Sequence, residues 1–308
     1  MLLLLAACSP TSAPVESAEP VARDSADSAP SLVRQVDLAY PAPEGADDAL
    51  ATLDLYRLDD DEVRPLALLV HGGSWVGGDK ANFDQAAPDF IPWWIDRGYV
   101  VAAVNFRLAS PMGQELEVGP KDQARDIAHA LAWLHEQEGI ASQGTVAVGF
   151  SSGAHLVALL GADGSYLEEP GLAQTQLAAT VSLDVHAYDV PYALDLMVGS
   201  VVEQNIPLIE HLFGATEEEQ LSASPIHFVE GQVAPAMLVS VEPSPDEEGS
   251  HGWIVSKASE HYAEALRAEG HLVETLHDSD ETHDSLAMGF GAEGDQATEA
   301  VGAFLDAL

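Results

Sequence analysis

A short segment near the middle of the chain combines a serine with glycines at a spacing that suits nucleophilic chemistry. Gly149-Phe150-Ser151-Ser152-Gly153 follows a short apolar run and precedes a helical pattern. A serine on a tight strand-to-helix turn projects its Oγ away from the backbone, and the glycines avoid a clash where the backbone folds back. A bare G-x-S-x-G pattern recurs by chance, so it is the strand–turn–helix context that makes Ser151 the predicted nucleophile.

A second glycine-rich segment could stabilise the charge that such a nucleophile creates. His71-Gly72-Gly73-Ser74-Trp75 directly follows another apolar run. Adjacent glycines leave backbone N–H groups unobstructed, so these groups can donate hydrogen bonds to a developing oxyanion. We predict donors at Gly73 and Ser74, completed by the N–H of Ser152 beside the nucleophile. His71 is predicted to shape the loop through a hydrogen bond. The alternative is a glycine-rich loop that only turns the chain.

The histidine that would activate the serine is expected after it in the chain, in the order serine, carboxylate, histidine. His283 lies after the last predicted strand and before the last predicted helix, where a loop can reach back over the nucleophile. His277, at the end of that strand, is the competing candidate. The cluster 277–284 could also bind a metal ion, but it lacks the spacing of H-E-x-x-H or of an EF-hand loop. We therefore predict His283 as the base and no metal site.

The carboxylate that would orient this histidine is the least constrained residue of the set. A cluster of acidic residues follows the predicted strand 236–241. Asp246 lies a few residues past that strand, which makes it the selected candidate. Glu247 and Glu248 remain alternatives, and Asp184, at the end of a different predicted strand, offers a second route to the same geometry.

Strand and helix patterns alternate from about residue 31 onward. The predicted strands are 53–57, 66–70, 100–105, 146–150, 179–185, 236–241 and 272–276. The predicted helices are 83–97, 121–138, a helix that includes 156–160, 258–269 and 297–308. Repeated βα units predict an α/β fold with a mostly parallel sheet covered by helices on both faces.

Composition limits what the 308-residue chain can be. It has 51 Asp and Glu against 11 Lys and Arg, a formal net charge of −40, and its apolar fraction of 47% is ample for a packed core. Nucleic acid and anionic membrane surfaces both favour basic partners, so neither is expected to bind this chain directly. The acidity itself indicates solubility or salt tolerance. With Cys8 as the only cysteine, the sequence allows neither an intramolecular disulfide nor a cysteine-based zinc site.

The N-terminal residues have a different character from the rest. The apolar run 2–7 is too short to span a bilayer, and it ends at Cys8 as a secretory h-region would. Residues 9–30 are rich in Ser, Ala, Pro and Glu and are predicted to be a flexible spacer. The predicted organisation is therefore a signal segment over 1–8, the spacer, and a catalytic domain over 31–308. Within this domain, the segment 187–221 fits neither a helix pattern nor a strand pattern, and it is predicted to be an insertion over the sheet, such as a lid.

Several motifs together resemble a known family. HGGSWVGGDK, VNFRLAS, DQARDIAHALAWL, GFSSGAHLVALL and ETHDSL are similar to segments of α/β-hydrolases of the hormone-sensitive-lipase and feruloyl-esterase-like (BD-FAE) branch, and kynurenine formamidases share much of this pattern. SLDVHAYDVP is similar to a stretch found in esterases of that group. The resemblance covers roughly residues 50–308. It implies an α/β-hydrolase fold, hydrolysis through an acyl-enzyme, and no cofactor. The resemblance also implies the roles of individual residues: Ser151 as the nucleophile and His283 as the catalytic histidine. The oxyanion donors that it implies are Gly73, Ser74 and Ser152. One departure is Ser152, where the usual motif has Ala.

The expected function is that of a serine carboxylesterase acting on a small-molecule ester, with Ser151 as nucleophile, His283 as general base and then acid, and Asp246 as the orienting carboxylate. The alternatives within the same chemistry are an arylformamidase similar to kynurenine formamidase and, less favoured, a peptidase. An alternative of another class is an inactive surface protein that binds ligands with the same fold. Fluorophosphonate labelling separates the last alternative from the others.

The tetrad Leu5-Ala6-Ala7-Cys8 resembles the lipobox of bacterial lipoproteins, in which the cysteine is acylated and becomes the mature N-terminus. No Lys or Arg precedes the apolar run, which departs from the lipoprotein pattern. Either the assigned start codon lies too far downstream, or the segment is an ordinary frayed N-terminus. The position of Cys8 favours the lipoprotein. The expected location is the bacterial cell envelope, reached by secretion across the inner membrane, with the membrane contacted only through the lipid anchor.

We predict that Cys8→Ser moves the protein from the membrane fraction to the soluble fraction, because the acyl chains that hold it can no longer be attached. Fractionation of cells and mass spectrometry of the N-terminal peptide measure the effect. Unchanged fractionation, or an unmodified N-terminus in the wild type, would contradict the lipoprotein assignment.

Overall fold

An eight-stranded sheet forms the centre of the part of the chain that the structure, a computed structural model, describes: residues 30–43, 48–241 and 247–308. The strand order is β1-β2-β4-β3-β5-β6-β7-β8. The β1–β2 and β2–β4 pairs are antiparallel, and the other five pairs are parallel. The strands are β1 (Leu32–Ala39), β2 (Thr52–Leu58), β3 (Leu66–Val70), β4 (Val100–Val104), β5 (Thr145–Phe150), β6 (Leu177–Leu183), β7 (Ala236–Val241) and β8 (Val273–Asp278).

Helices cover both faces of this sheet, which confirms the predicted fold class. They are α1 (Asn82–Gln85), α2 (Phe90–Asp96), α3 (Pro120–His135), α4 (Ser152–Ala162), α5 (Ser165–Glu168), α6 (Val190–Met197), α7 (Ile206–Phe213), α8 (Glu217–Leu221), α9 (His251–Ala268), α10 (His283–Gly289) and α11 (Gln296–Asp306). Side chains of α3, α4 and α9 contribute to one apolar core, and those of α2, α10 and α11 contribute to a second.

The two cores explain why the central strands are continuous apolar runs. In β3, Leu66, Leu68 and Val70 pack into the first core, while Ala67 and Leu69 pack into the second. Successive side chains of a strand point to opposite faces, so a strand covered on both sides cannot alternate apolar with polar residues.

Two predicted helices differ from those observed. The helix predicted over 83–97 is interrupted between α1 and α2, where Pro88 lies. Proline disfavours the helical conformation of the preceding residue and lacks an N–H for the helical hydrogen-bond ladder, so the two pieces form separately. The helix predicted from Ala258 starts earlier, at His251, because Ser250 caps it: its side chain accepts a hydrogen bond from the Trp253 N–H at 3.1 Å.

Two other parts of the chain were less well anticipated. The strand β1 was not predicted from the sequence. It lies at the edge of the sheet, and its side chains are exposed or half-buried, so its sequence has no apolar run. The segment 187–221, predicted to be irregular, contains α6, α7 and α8. Whether it acts as a lid stays a prediction.

Two of the few basic residues form ion pairs that hold the loops at the carboxyl edge of the sheet. Lys80 is buried and its Nζ lies 2.8 Å from an oxygen of buried Asp54 on β2. Arg107, which follows β4, makes a two-pronged contact with Asp126 of α3, with Nε–Oδ2 and Nη2–Oδ1 distances of 2.9 and 2.8 Å. A buried charge is costly without a partner of opposite charge. The two ion pairs therefore hold the loop after β3 against β2 and the loop after β4 against α3.

The parallel strands bring the predicted site residues to one edge of the sheet. The segment 71–75 follows β3, Ser151 follows β5, and Asp184 follows β6. His283 follows β8 after a short loop. Parallel strands end at the same edge, so residues far apart in sequence converge there. Among the described residues, no helix has the length and apolarity needed to cross a membrane.

Candidate active site

The serine lies on a strained turn between β5 and α4. Ser151 has φ of 54° and ψ of −124°, a conformation that a residue with a side chain rarely adopts. Its N–H donates to the Leu183 carbonyl of β6 at 2.8 Å, which secures the turn to the neighbouring strand. The turn is so tight that a Cβ on Gly149 would lie 2.1 Å from the Gly153 carbonyl oxygen. Glycine is therefore required there, as the sequence motif predicts.

His283 meets this serine from the loop after β8. Its Nε2 lies 3.1 Å from Ser151 Oγ, within hydrogen-bond reach. The residue opens α10, which Thr282 caps by accepting a hydrogen bond from the Ser285 N–H. The ring of Phe150 packs on the imidazole, with centroids 4.7 Å apart. The cap and the ring contact together position the imidazole over the serine.

The carboxylate that the structure places against His283 is that of Asp184. Its Oδ2 lies 2.5 Å from His283 Nδ1, and its Oδ1 accepts a hydrogen bond from the Val241 N–H at 3.0 Å. The side chain is fully buried. Burial by itself would raise the pKa of the Asp184 carboxyl, but hydrogen bonds from His251 and His283 outweigh it and lower the pKa to about 2. Asp184 is therefore ionised at neutral pH.

The outcome differs for the other acidic candidates. Asp246, selected from the sequence, lies outside the described residues. Glu247 and Glu248 are exposed. Asp184, ranked below them from the sequence, is the residue that the structure brings to the histidine. Its position depends on β6 lying beside β7, a pairing that the sequence does not reveal.

A second histidine shares this carboxylate and was not anticipated. His251, the first residue of α9, places its Nε2 3.0 Å from Asp184 Oδ2. Its ring meets that of His283 edge-on, with centroids 5.4 Å apart. The early start of α9 brings His251 to this position, and its sequence context contains no motif that would have identified it.

The loop after β3 has an unusual backbone. Gly73, Ser74 and Trp75 all have positive φ values, of 133°, 53° and 63°. Trp75 is buried, and its Nε1–H donates to His155 Nδ1 at 3.2 Å, so its side chain anchors the loop to α4. Gly73 and Ser74, by contrast, are exposed. The buried Trp75 side chain thus holds the loop in place, while the backbone of Gly73 and Ser74 stays accessible.

His71 and Ser152 flank the site as the sequence suggested. The His71 ring stacks on Phe106 with centroids 4.4 Å apart, and its Nδ1 lies 2.9 Å from the Gly72 carbonyl oxygen. Burial lowers the pKa of His71, so it stays neutral and shapes the loop. Ser152 is the first residue of α4, where backbone N–H groups have no acceptor within the helix.

One further predicted position, His277, does not join this cluster. His277 lies in β8 with Nδ1 2.9 Å from Ser240 Oγ. Cys8 lies outside the described residues. Among the described residues, the donor atoms of Asp184, His251 and His283 form the group compact enough to hold a cation, all within 4.8 Å of one another. Asp184 Oδ2 already lies within hydrogen-bond distance of a ring nitrogen of each histidine.

Two cavities open at this edge of the sheet. The smaller has a volume of about 150 Å³ and is lined by Ser151, Ser152, Ser74 and His283, together with Val202 and His186. The larger, of about 460 Å³, is lined mainly by apolar side chains, among them Phe83, Ala87, Phe150 and Met288.

The sheet order, the helices on both faces and the serine turn define an α/β-hydrolase fold. Solved structures share it: esterase B from Lactobacillus rhamnosis superposes with a TM-score of 0.68 at 17% identity, covering 90% of this chain and 85% of that one. An esterase from Pyrobaculum calidifontis gives a TM-score of 0.64 at 17% identity, covering 89% and 86%. At such identities the likeness shows the fold alone.

The family follows from the sequence match. The BD-FAE family model matches residues 53–245, more than half of the chain, so this chain belongs to the BD-FAE family of α/β-hydrolases. Among curated proteins, dipeptidyl aminopeptidase BIII from Pseudoxanthomonas mexicana is 30% identical over 126 residues, which cover 39% of this chain and 16% of that protein. The non-reducing polyketide synthase ausA from Penicillium brasilianum is 30% identical over 142 residues, and the chain covers 5% of it. The chain thus spans only a small part of these relatives.

We predict that Gly78→Ala destabilises the protein by about 1–3 kcal/mol, whereas Gly77→Ala is nearly neutral. Gly78 has φ of 99°, and a Cβ there would lie 2.0 Å from the Gly72 carbonyl oxygen and 2.4 Å from His71 Nδ1. At Gly77 the nearest atom to a Cβ is 3.7 Å away. Thermal and denaturant unfolding of the two variants provide the comparison. Equal stabilities would show that the loop does not need this close approach.

Proposed function

We propose that this protein is a serine hydrolase that cleaves small-molecule carboxylic esters through an acyl-enzyme intermediate. The observation that carries the proposal is the chain of contacts from Ser151 Oγ to His283 Nε2, at 3.1 Å, and from His283 Nδ1 to the buried Asp184 carboxylate, at 2.5 Å. Nucleophile, base and orienting group are then in hydrogen-bond sequence, which is the arrangement that activates a hydroxyl for attack. Membership of the BD-FAE family supports an ester as the substrate.

The first half of the proposed reaction transfers the acyl group to the enzyme. Ser151 Oγ attacks the ester carbonyl carbon while His283 Nε2 takes the hydroxyl proton. Asp184 stabilises the imidazolium that forms and keeps its Nδ1 protonated. The tetrahedral intermediate then collapses, the carbon–oxygen bond to the alcohol breaks, and His283 returns its proton to the departing alcohol oxygen. Ser151 is left as an acyl ester.

The second half releases the acid. Water attacks the acyl carbon while His283 takes a proton from it. The bond between the acyl carbon and Ser151 Oγ then breaks, His283 returns its proton to Ser151 Oγ, and the carboxylic acid is released. In both halves the carbonyl oxygen becomes an oxyanion, which we assign to the backbone N–H groups of Gly73, Ser74 and Ser152. The N-terminus of α4 adds favourable electrostatics, since Ser151 directly precedes this eleven-residue helix.

The same groups could hydrolyse a related acyl compound. An aryl formamide presents a carbonyl of the same geometry to Ser151, so N-formylkynurenine belongs in the substrate panel beside p-nitrophenyl esters. A protein that only binds ligands would react with neither and would not be labelled by a fluorophosphonate probe. We further propose, from the lipobox around Cys8, that the domain is anchored to the bacterial cell envelope through the spacer 9–30.

We predict that Ser151→Ala lowers kcat for p-nitrophenyl acetate by roughly 10⁵–10⁶-fold and abolishes fluorophosphonate labelling, because the nucleophile is removed. His283→Ala is expected to lose nearly as much, since the serine is no longer activated. His277→Ala is the matched control, a histidine on the preceding strand, and is expected to retain activity. Activity of Ser151→Ala within tenfold of wild type would overturn the assignment, and inactivity of His277→Ala with an active His283→Ala would identify the other histidine.

We predict that Asp184→Asn lowers kcat by roughly 10²–10⁴-fold while the protein stays folded, because His283 loses the charge that orients it and stabilises its protonated form. Asp246→Asn, the carboxylate selected from the sequence, is expected to remain within a few-fold of wild type. Circular dichroism and thermal unfolding verify that both variants are folded. A large loss in Asp246→Asn with normal turnover in Asp184→Asn would move the acid to the loop after β7.

A further inference from the structure

His251 lies against the carboxylate of Asp184 and has no role in the reaction as proposed so far. Its Nε2 is 3.0 Å from Asp184 Oδ2, the same oxygen that lies 2.5 Å from His283 Nδ1. Asp184 is ionised at neutral pH, and an ionised carboxylate only accepts hydrogen bonds, so each histidine presents a ring N–H to it. One carboxylate oxygen therefore serves two N–H donors, and one of these belongs to the proposed base.

The second donor reduces the attraction that the carboxylate exerts on His283. Burial raises the pKa of the Asp184 carboxyl, and the hydrogen bond from His251 comes first among the interactions that offset burial and lower this pKa to about 2. A donor that stabilises the negative charge also disperses it, so the charge attracts a protonated imidazole at His283 less strongly. Loss of the His251 N–H would therefore favour the protonated form of His283, which cannot act as a base.

The backbone at the start of α9 places His251 at the carboxylate. Ser250 caps the helix with its side chain. The carbonyl of Gly249 accepts a hydrogen bond from the Val201 N–H at 3.0 Å, which joins the start of α9 to the turn between α6 and α7. Neither contact uses the imidazole, so a replacement of the His251 side chain leaves both in place.

Other titratable groups near His251 bear on the sign of its effect. The His283 ring meets it edge-on with centroids 5.4 Å apart, so a positive charge on either ring disfavours one on the other. Burial lowers the pKa of His186, which lines the same cavity, to about 4, so this ring is neutral at pH 7. Solvent and salt screen the exposed carboxylates of the adjoining segments, Glu203, Glu247 and Glu248. The N–H of His251 and any positive charge on its ring thus both oppose protonation of His283.

Resting on the proposed function, we infer that His251 is a positioning residue that sets the lower pH limit of catalysis. Its N–H shares Asp184 Oδ2 with His283 and limits how strongly the carboxylate stabilises the protonated imidazole. His283 consequently stays available as a base in more acidic solution. His251 acts through Asp184 and takes no proton from the substrate.

Variants of His251 test this role through the pH dependence of kcat/KM for p-nitrophenyl acetate. His251→Phe supplies an apolar ring without an N–H donor. We expect the acidic limb of the profile to move to higher pH by about 0.5 or more, so that kcat/KM on this limb falls about threefold, with little change on the plateau. His251→Gln carries an amide N–H at similar reach and is expected to keep the acidic limb of the wild type.

His261→Phe is the matched control, because it changes a second histidine of the same helix. His261 Nε2 lies 3.0 Å from Asp189 Oδ2, so this variant removes the same kind of contact from a different carboxylate. Its acidic limb is expected to match that of the wild type. Thermal unfolding verifies that each variant is folded. If His251→Phe does not fold, His251→Val, which is smaller than histidine and also lacks a donor, takes its place with the same expectation.

NMR provides a measurement that does not depend on turnover. Titration of protein labelled with ¹⁵N-histidine follows the protonation of His283, whose signals are identified by their loss in His283→Ala. In His251→Phe the midpoint of this titration is expected to rise by the same amount as the acidic limb. A role of His251 in stability alone would lower the unfolding temperature and leave both midpoints unchanged.

The outcomes separate this inference from the proposed function. An acidic limb that stays in place in folded His251→Phe, or that moves as far in His251→Gln as in His251→Phe, would overturn the inference and leave the serine hydrolase in place. Absence of both ester turnover and fluorophosphonate labelling in the wild type would overturn the proposed function, and with it the catalytic role of His251.

Discussion

The buried carboxylate of Asp184 is the group on which the site's geometry depends. A charge enclosed by protein is costly unless hydrogen bonds replace its hydration. Asp184 obtains three: the Val241 N–H on one oxygen and two imidazole nitrogens, of His283 and His251, on the other. These bonds favour the ionised carboxylate and lower the pKa of Asp184 despite its burial. Because the carboxylate cannot move without breaking them, the His283 ring is held at a fixed angle toward Ser151.

Each of these partners comes from a different part of the fold. Val241 ends β7, His251 begins α9, and His283 begins α10. Their convergence requires β6, β7 and β8 to lie side by side with their carboxyl ends together. The sheet thus converts residues up to 132 positions apart, Ser151 and His283, into hydrogen-bond partners. Packing of both faces stabilises this arrangement, since the strands are buried on each side.

Backbone strain is concentrated in the same small region. Ser74, Trp75, Ser151 and Asp184 are four of the five non-glycine residues with positive φ among the described residues. Such conformations cost free energy and persist only where the surroundings enforce them. Here the enforcing contacts are the Trp75–His155 hydrogen bond, the Ser151–Leu183 backbone hydrogen bond and the bonds to Asp184. Three of these residues, Ser74, Ser151 and Asp184, carry groups that the proposed reaction uses, so the packed scaffold holds these groups in place before a substrate arrives.

The sequence by itself determined the features that depend on local order. Short strand patterns, several of them continuous apolar runs, located seven of the eight strands. The glycine spacing located the serine turn, because a tight strand-to-helix turn leaves no room for side chains at those positions. The position of His283, after the last strand, could also be predicted from chain order.

Only the tertiary structure decided which carboxylate contacts His283. Several acidic residues follow strands in a chain with 51 of them, and local pattern cannot rank them. Asp184 is brought to His283 by the lateral order of the strands, and His251 by the cap at Ser250 that starts α9 early. Lateral order arises from contacts between distant segments, and a pattern of neighbouring residues does not encode it.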